Sequence, residues 1–182
     1  GCLDTAYRRY RKMPRRGSAK PPAESVVKPY GCDWKAYALE PLPDMCDVMM
    51  SKNILNLQVV NCAAWNKNED LFLGENQRGS GVRVNGTEII NGRTIDSITE
   101  GDKVTFIKMD IEGAELKALE GASNTIKKYH PKLAICIYHK PTDIYDIGSY
   151  LLTLYPNYKF YIRHYTTSMW ETVLYAIDRG VT

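Results

Sequence analysis

The clearest change of hydrophobic rhythm in this chain falls between Val104 and Ile126. Val104, Thr105, Phe106, Ile107, Lys108 and Met109 form a run rich in β-branched and aromatic residues, the pattern of a mostly buried strand. Asp110 closes it. Beyond a short turn, Leu116, Leu119, Ala122 and Ile126 recur at spacings of three and four, which puts them on one face of a helix. Strand, turn and helix are therefore expected to pack as one unit, and the carboxyl end of such a strand is where open α/β sheets bind ligands.

The same reading extends along the chain. Asp4 to Met13 suits a short helix, and the Pro-, Gly- and Ser-punctuated stretch from Pro14 to Gly31 suits a long loop. Lys35 to Leu39 is a short strand ending at Glu40, broken by Pro41 and Pro43. Asp44 to Asn53 is a helix with Met45, Val48 and Met49 on one side. Asn56 to Ala64 is the next strand. Asp70–Leu73, Val82–Val84 and Glu88–Ile90 are small strands or hairpin arms around glycine turns at Asn85 and Asn91. After the Val104 unit come a strand over Leu133–Tyr138, a helix over Asp143–Tyr155, and strands over Tyr158–Tyr165 and Thr172–Ile177 that pair antiparallel. Alternating strands and helices predict a mostly parallel α/β sheet with right-handed crossovers and a closing hairpin.

Composition narrows the class. The chain has 182 residues, 44% hydrophobic and 25% charged, ordinary for a globular domain. No apolar run approaches the roughly 20 residues of a transmembrane helix, and the basic start lacks the apolar stretch of a signal peptide, so a cytoplasmic location is the default. The cysteines (Cys2, Cys32, Cys46, Cys62 and Cys136) are odd in number and widely spaced, which suits neither a disulfide framework nor a CxxC metal site. Cys62 and Cys136 sit in apolar runs and are expected to be packed thiols. The net charge of +3 hides an asymmetry: Gly1 to Lys20 holds seven Lys or Arg against one Asp. Arg8, Arg9, Arg11, Lys12, Arg15 and Arg16 could meet phosphates, but without a nucleic-acid motif the pattern favours a solvated basic helix. The clustered His-carboxylate spacing of a metal site is absent from the sequence.

The turn after Met109 is acidic. Asp110, Glu112 and Glu115 crowd the positive end of the helix dipole, and Gly113 permits close approach to the backbone. Such acids either cap the helix or contact a ligand, and local chemistry leaves both open.

The segment FIKMDIEGAE (Phe106–Glu115), followed in order by LKALEGA, PKLAICIYHKPTDIYDI, KFYIRH and ETVLYA, resembles the FkbM family of S-adenosylmethionine-dependent methyltransferases over roughly Lys35 to Ile177. The resemblance implies a Rossmann-like methyltransferase three-layer sandwich of class I over 35–182, with 1–34 as a basic helix and Pro/Gly-rich loop preceding it. It implies S-adenosylmethionine as cofactor and a hydroxyl on a sugar or secondary metabolite as acceptor. Glu40 would hold the cofactor ribose, Asn61 and Ala64 would lie at the adenine, and Asp110 would stand near the transferring methyl group. Trp65 suits packing as well as adenine contact.

Methyl transfer to oxygen calls for alignment of the acceptor and often a base. His139, at the carboxyl end of its strand, and His164, near the end of the hairpin strand, are the candidate bases. Glu112 could orient either base or acceptor, and His130 before Pro131 suits the surface. Arg78 and Ser80, in the ENQRGSG loop, are candidate acceptor contacts. One element of the family fold is missing from the pattern. The central first strand, with its glycine turn, should lie between the strands ending at Glu40 and Asp110, yet Tyr7 to Tyr10 is not strand-like. An amino-terminally truncated domain is the expectation. A degenerate domain that binds an anionic partner and an NAD-linked oxidoreductase are the competing readings.

Overall fold

The computed structural model describes residues 34–76, 79–82, 88–168, 170–178 and 180. The expected basic helix, Tyr7 to Tyr10, Cys2, Cys32, Arg78 and the Asn85 turn lie outside the described residues.

β1 (Ala36–Glu40) runs into α1 (Pro43–Met50), whose first position holds a proline that has no N–H to leave unpaired. Met45, Val48 and Met49 are half-buried on α1, and Cys46 is buried. The helix stops earlier than the pattern suggests because Asn53 and Asn56 take left-handed backbone angles. β2 (Leu57–Asn61) then lies parallel to β1, with Asn61 opposite Glu40.

What reads as one strand from Asn56 to Ala64 is two. The Cys62 N–H donates to Val60 O at 2.9 Å, and the chain leaves β2 to begin β3 (Ala63–Ala64) in a different sheet. That sheet continues with β4 (Glu69–Asn76), β5 (Gly79–Val82) and β6 (Glu88–Arg93), ordered β3-β6-β4-β5. Asn91 and Gly92, expected at a turn, lie inside β6. A Cβ on Gly92 would sit 2.7 Å from Leu71 Cδ1 and 2.9 Å from Glu69 O, so the glycine there serves close packing. Ala63, Leu71 and Ile90 form a small core with Leu42 and Trp65.

α2 (Ile95–Thr99) escapes the hydrophobic pattern because it is too short to show a period, although Thr94 caps it by accepting from Ser97 N. Then follow β7 (Phe106–Met109), α3 (Glu115–Glu120), α4 (Ser123–Tyr129), β8 (Lys132–Cys136), α5 (Asp143–Leu154), β9 (Lys159–His164) and β10 (Thr172–Ile177). The order is β7-β8-β10-β9, with β7 parallel to β8 and β10 antiparallel to both its neighbours, which is the closing hairpin that the sequence predicts. Ile107, Met109, Leu133, Ile135 and Ile137 pack in one core with Leu119, Ala122, Ile126, Ile147 and Leu151.

The single helix expected after the acidic turn is broken between α3 and α4. Gly121 lies so near Trp65 that a Cβ would be 1.9 Å from its carbonyl oxygen. Asp96 accepts from Asn124 N and Thr125 N at 3.0 and 2.8 Å and so caps α4 from outside.

Among the described residues, β1 pairs only with β2 and β7 only with β8. Their starts are nonetheless tied together, because Lys35 Nζ and Tyr37 OH both donate to Asp102 Oδ2, at 2.9 and 2.8 Å. Leu39 packs on the main core. β1 and β7 each have one edge without a partner among the described residues.

Candidate active site

The site grows from the turn after β7. Glu112 and Gly113 take successive left-handed angles, φ 59° and 95°, before α3 begins. Gly113 suits this at no steric cost, whereas Glu112 is strained there. Glu115 Oε1 accepts from Ile111 N at 2.9 Å, Ala114 N donates to Ile111 O at 3.3 Å, and Lys140 Nζ donates to Gly113 O, all of which hold the turn. A side chain on Gly113 would press on Lys140 and His139.

His139, three residues beyond β8, enters the space this turn encloses. Its side chain is only 7% exposed. Nδ1 lies 2.9 Å from Glu115 Oε1, while Nε2 lies 3.6 Å from Asp110 Oδ1 and 3.5 Å from Glu112 Oε2. The Nδ1 contact is close but not aligned as a hydrogen bond, and neither ring nitrogen makes one. Glu115 Oε2 is likewise buried without a hydrogen-bond partner. Tyr138 OH donates to Asp110 Oδ1 at 2.8 Å, and its ring meets Trp170 edge-on. Lys140 N donates to Asp143 Oδ2, which fixes the loop into α5.

Charge is concentrated here. Burial opposes protonation of His139, but Glu115 first, then Asp110 and Glu112, outweigh it and raise its pKa above the usual 6.5. Burial, reinforced by Asp110, pushes the Tyr138 phenol and the Cys136 thiol up as well, so both stay protonated near neutrality. Burial also raises the Asp143 carboxyl.

Asp110, Glu112 and His139, separate candidates in the sequence, are brought together. Glu40 ends β1, with its Oε1 accepting from Leu42 N at 3.0 Å. The Asn61 amide donates to the carbonyls of Glu40 and Pro41, both at 3.0 Å, so it pins the Glu40 turn. Ala64 ends β3 beside Arg93. Trp65 packs in the small core, and its Nε1 donates to Glu69.

His164 is not brought into the carboxylate cluster. It is exposed on β9, beyond β10 from β8, and its Nδ1 is bonded to Thr172 Oγ1 at 2.8 Å. Ser80 has a described backbone in β5 opposite Glu75, and Arg78 lies outside the described residues. His130 is half-buried, stacked on Tyr155 at 3.7 Å. Among the described residues no His, Cys, Asp and Glu group has the arrangement of a metal site.

This combination of strand order, acidic turn and closing hairpin has relatives. The methyltransferase FkbM domain profile matches residues 15–166. The chain belongs to the FkbM methyltransferase domain family. The crystal structure of methyltransferase FkbM from Methylobacillus flagellatus KT is similar to it, with 32% identity and a TM-score of 0.63 over 79% of this chain. The chain spans 36% of that protein's length. No curated protein matches it significantly. The family match begins at residue 15, before the Lys35 boundary that the motifs suggest.

Two residues of the candidate site are not assigned a role by the sequence. Glu115 reads there as a first-turn acid, and it does bond Ile111 N, but its second contact with His139 depends on the fold. Tyr138 adjoins His139 in YHKP, a signal that was present but has no meaning until the strand direction is known.

Proposed function

We propose that this domain serves an S-adenosylmethionine-dependent methyltransferase that methylates a hydroxyl on a sugar or secondary metabolite. The observation that carries the reading is the buried His139 among Asp110, Glu112 and Glu115, at the carboxyl end of a parallel strand pair. The residues fit the cofactor. Its sulfonium is cationic, which suits the carboxylates of Asp110 and Glu112, and its ribose diol suits a strand-end carboxylate such as Glu40.

When bound, S-adenosylmethionine supplies an electrophilic methyl group, so the acceptor hydroxyl must lose its proton as it is methylated. His139 Nε2 makes no hydrogen bond in the structure and is the group proposed to take that proton. Asp110 and Glu112 flank Nε2 and stabilise the imidazolium that results. Tyr138 fixes the rotamer of Asp110 through its 2.8 Å bond. Asn61 holds the Glu40 turn in place, and Ala64 marks the strand end proposed to lie near adenine. Arg78 and Ser80 are kept as acceptor contacts, His164 as an outlying second base, and 35–182 as the domain. A cytoplasmic location fits the free thiols of Cys46, Cys62 and Cys136.

The antiparallel β10 favours this reading over an NAD-linked oxidoreductase, for which a parallel last strand is expected. Calorimetric titration of the protein with S-adenosylmethionine tests it, and His139→Ala should then lower turnover by about 10²- to 10⁴-fold while sparing cofactor affinity. Absence of binding would leave a non-catalytic domain for an anionic partner, and NAD binding would favour the oxidoreductase. Wild-type turnover in the variant would remove His139 as base.

A further inference from the structure

We propose that Glu115 is the positioning residue that fixes the tautomer and charge of His139. The proposal rests on the reading of His139 as the base. Glu115 is fully buried in the first turn of α3, and the same oxygen, Oε1, lies 2.9 Å from both Ile111 N and His139 Nδ1. One carboxylate therefore links the strained Glu112–Gly113 turn to the imidazole. A buried carboxylate beside Nδ1 favours the proton on Nδ1, which leaves the Nε2 lone pair on the side of Asp110 and Glu112, where a proton would be accepted.

Complete burial makes a simple capping role insufficient, because a first-turn carboxylate that only caps a helix is ordinarily wet. The groups facing His139 are Asp110 from the end of β7, Glu112 from the turn, Glu115 from α3, Asp143 from α5 and the Tyr138 phenol, whose ring lies 4.1 Å from the imidazole, with Lys140 following His139 in the chain. Of these, Glu115 alone meets Nδ1.

E115Q separates the roles, since the glutamine carbonyl can still accept from Ile111 N while the charge beside Nδ1 is lost. In nitrogen-15 and carbon-13 NMR titrations, the wild-type His139 should titrate above 6.5 and, when neutral, carry its proton on Nδ1. In E115Q its midpoint should fall by about one pH unit or more, and the acid limb of the pH-rate profile should fall with it. An unmoved midpoint in a folded variant would overturn the proposal. Should E115Q fail to fold, the wild-type tautomer decides alone: a proton on Nε2 at high pH overturns it. The NMR readout needs neither cofactor nor acceptor. A moved midpoint without S-adenosylmethionine binding therefore sinks the proposed activity but not the Glu115–His139 pairing.

Discussion

The two blocks that carry the proposed site residues are packed very differently. β7, β8 and β10 share a core with α3, α4 and α5 in which Leu119, Ile126, Leu133, Ile135, Ile147 and Leu151 are completely buried. The β1–β2 pair with α1 buries only Cys46 below the level of half-burial, and all five residues of β1 are half-exposed. His139, Asp110 and Glu115 thus stand on a rigid support, while Glu40 and Asn61 stand on one held by hydrogen bonds. The proposed proton-handling wall is preorganised by packing; the proposed ribose wall relies on the Asn61 amide and the Asp102 tether at its far end.

The largest stability effect is expected where the well-packed block meets the β3 segment. Gly121→Ala would drive a methyl group into the Trp65 carbonyl, which as backbone cannot swing aside like a flexible side chain. Such overpacking should cost about 3 kcal/mol and lower Tm by roughly 6 to 12 °C. Urea unfolding measures this directly. A loss below about 1 kcal/mol would mean that the Trp65–Asn66 loop shifts freely, and the contrast in rigidity would weaken.

Glu40→Ala tests the looser wall. Proposed binding to ribose predicts a fall in S-adenosylmethionine affinity of about 1.5 to 3 kcal/mol, while loss of the Leu42 N bond should cost about 1 kcal/mol in stability. Calorimetry and thermal melting separate the two. Unchanged affinity with lowered stability would leave Glu40 as a cap on α1 and nothing more.

The same contrast explains what the sequence disclosed. In the packed block, hydrophobic period follows burial, so β7, β8, α5 and the hairpin fall close to their expected ranges. Where burial is shared between sheets, period misleads. Asn56–Ala64 reads as a single strand, yet Cys62 turns the chain from one sheet to another. Asn91–Gly92 carries the composition of a turn, but Leu71 and the Glu69 carbonyl need a residue without a side chain in β6. Asp110, Glu112 and His139 were legible because each lies at the carboxyl end of a recognisable strand. Glu115 was not, because a carboxylate in a first turn reads as a cap until His139 is placed against it.

The smallest effect should come from the strained turn itself. Glu112 holds φ at 59°, a conformation that costs an ordinary residue about 1 to 2 kcal/mol. Glu112→Gly should relieve part of that strain and raise stability by up to about 1 kcal/mol, even though glycine also loosens the unfolded chain. It should lower turnover at the same time, because one of the two carboxylates flanking His139 Nε2 is gone. A rise in stability with a fall in activity would mark the turn as strain retained for the site, supported by the dense core beneath it. A fall in stability would show instead that the contacts of the Glu112 side chain outweigh its backbone strain, making the turn part of the packing rather than a load upon it.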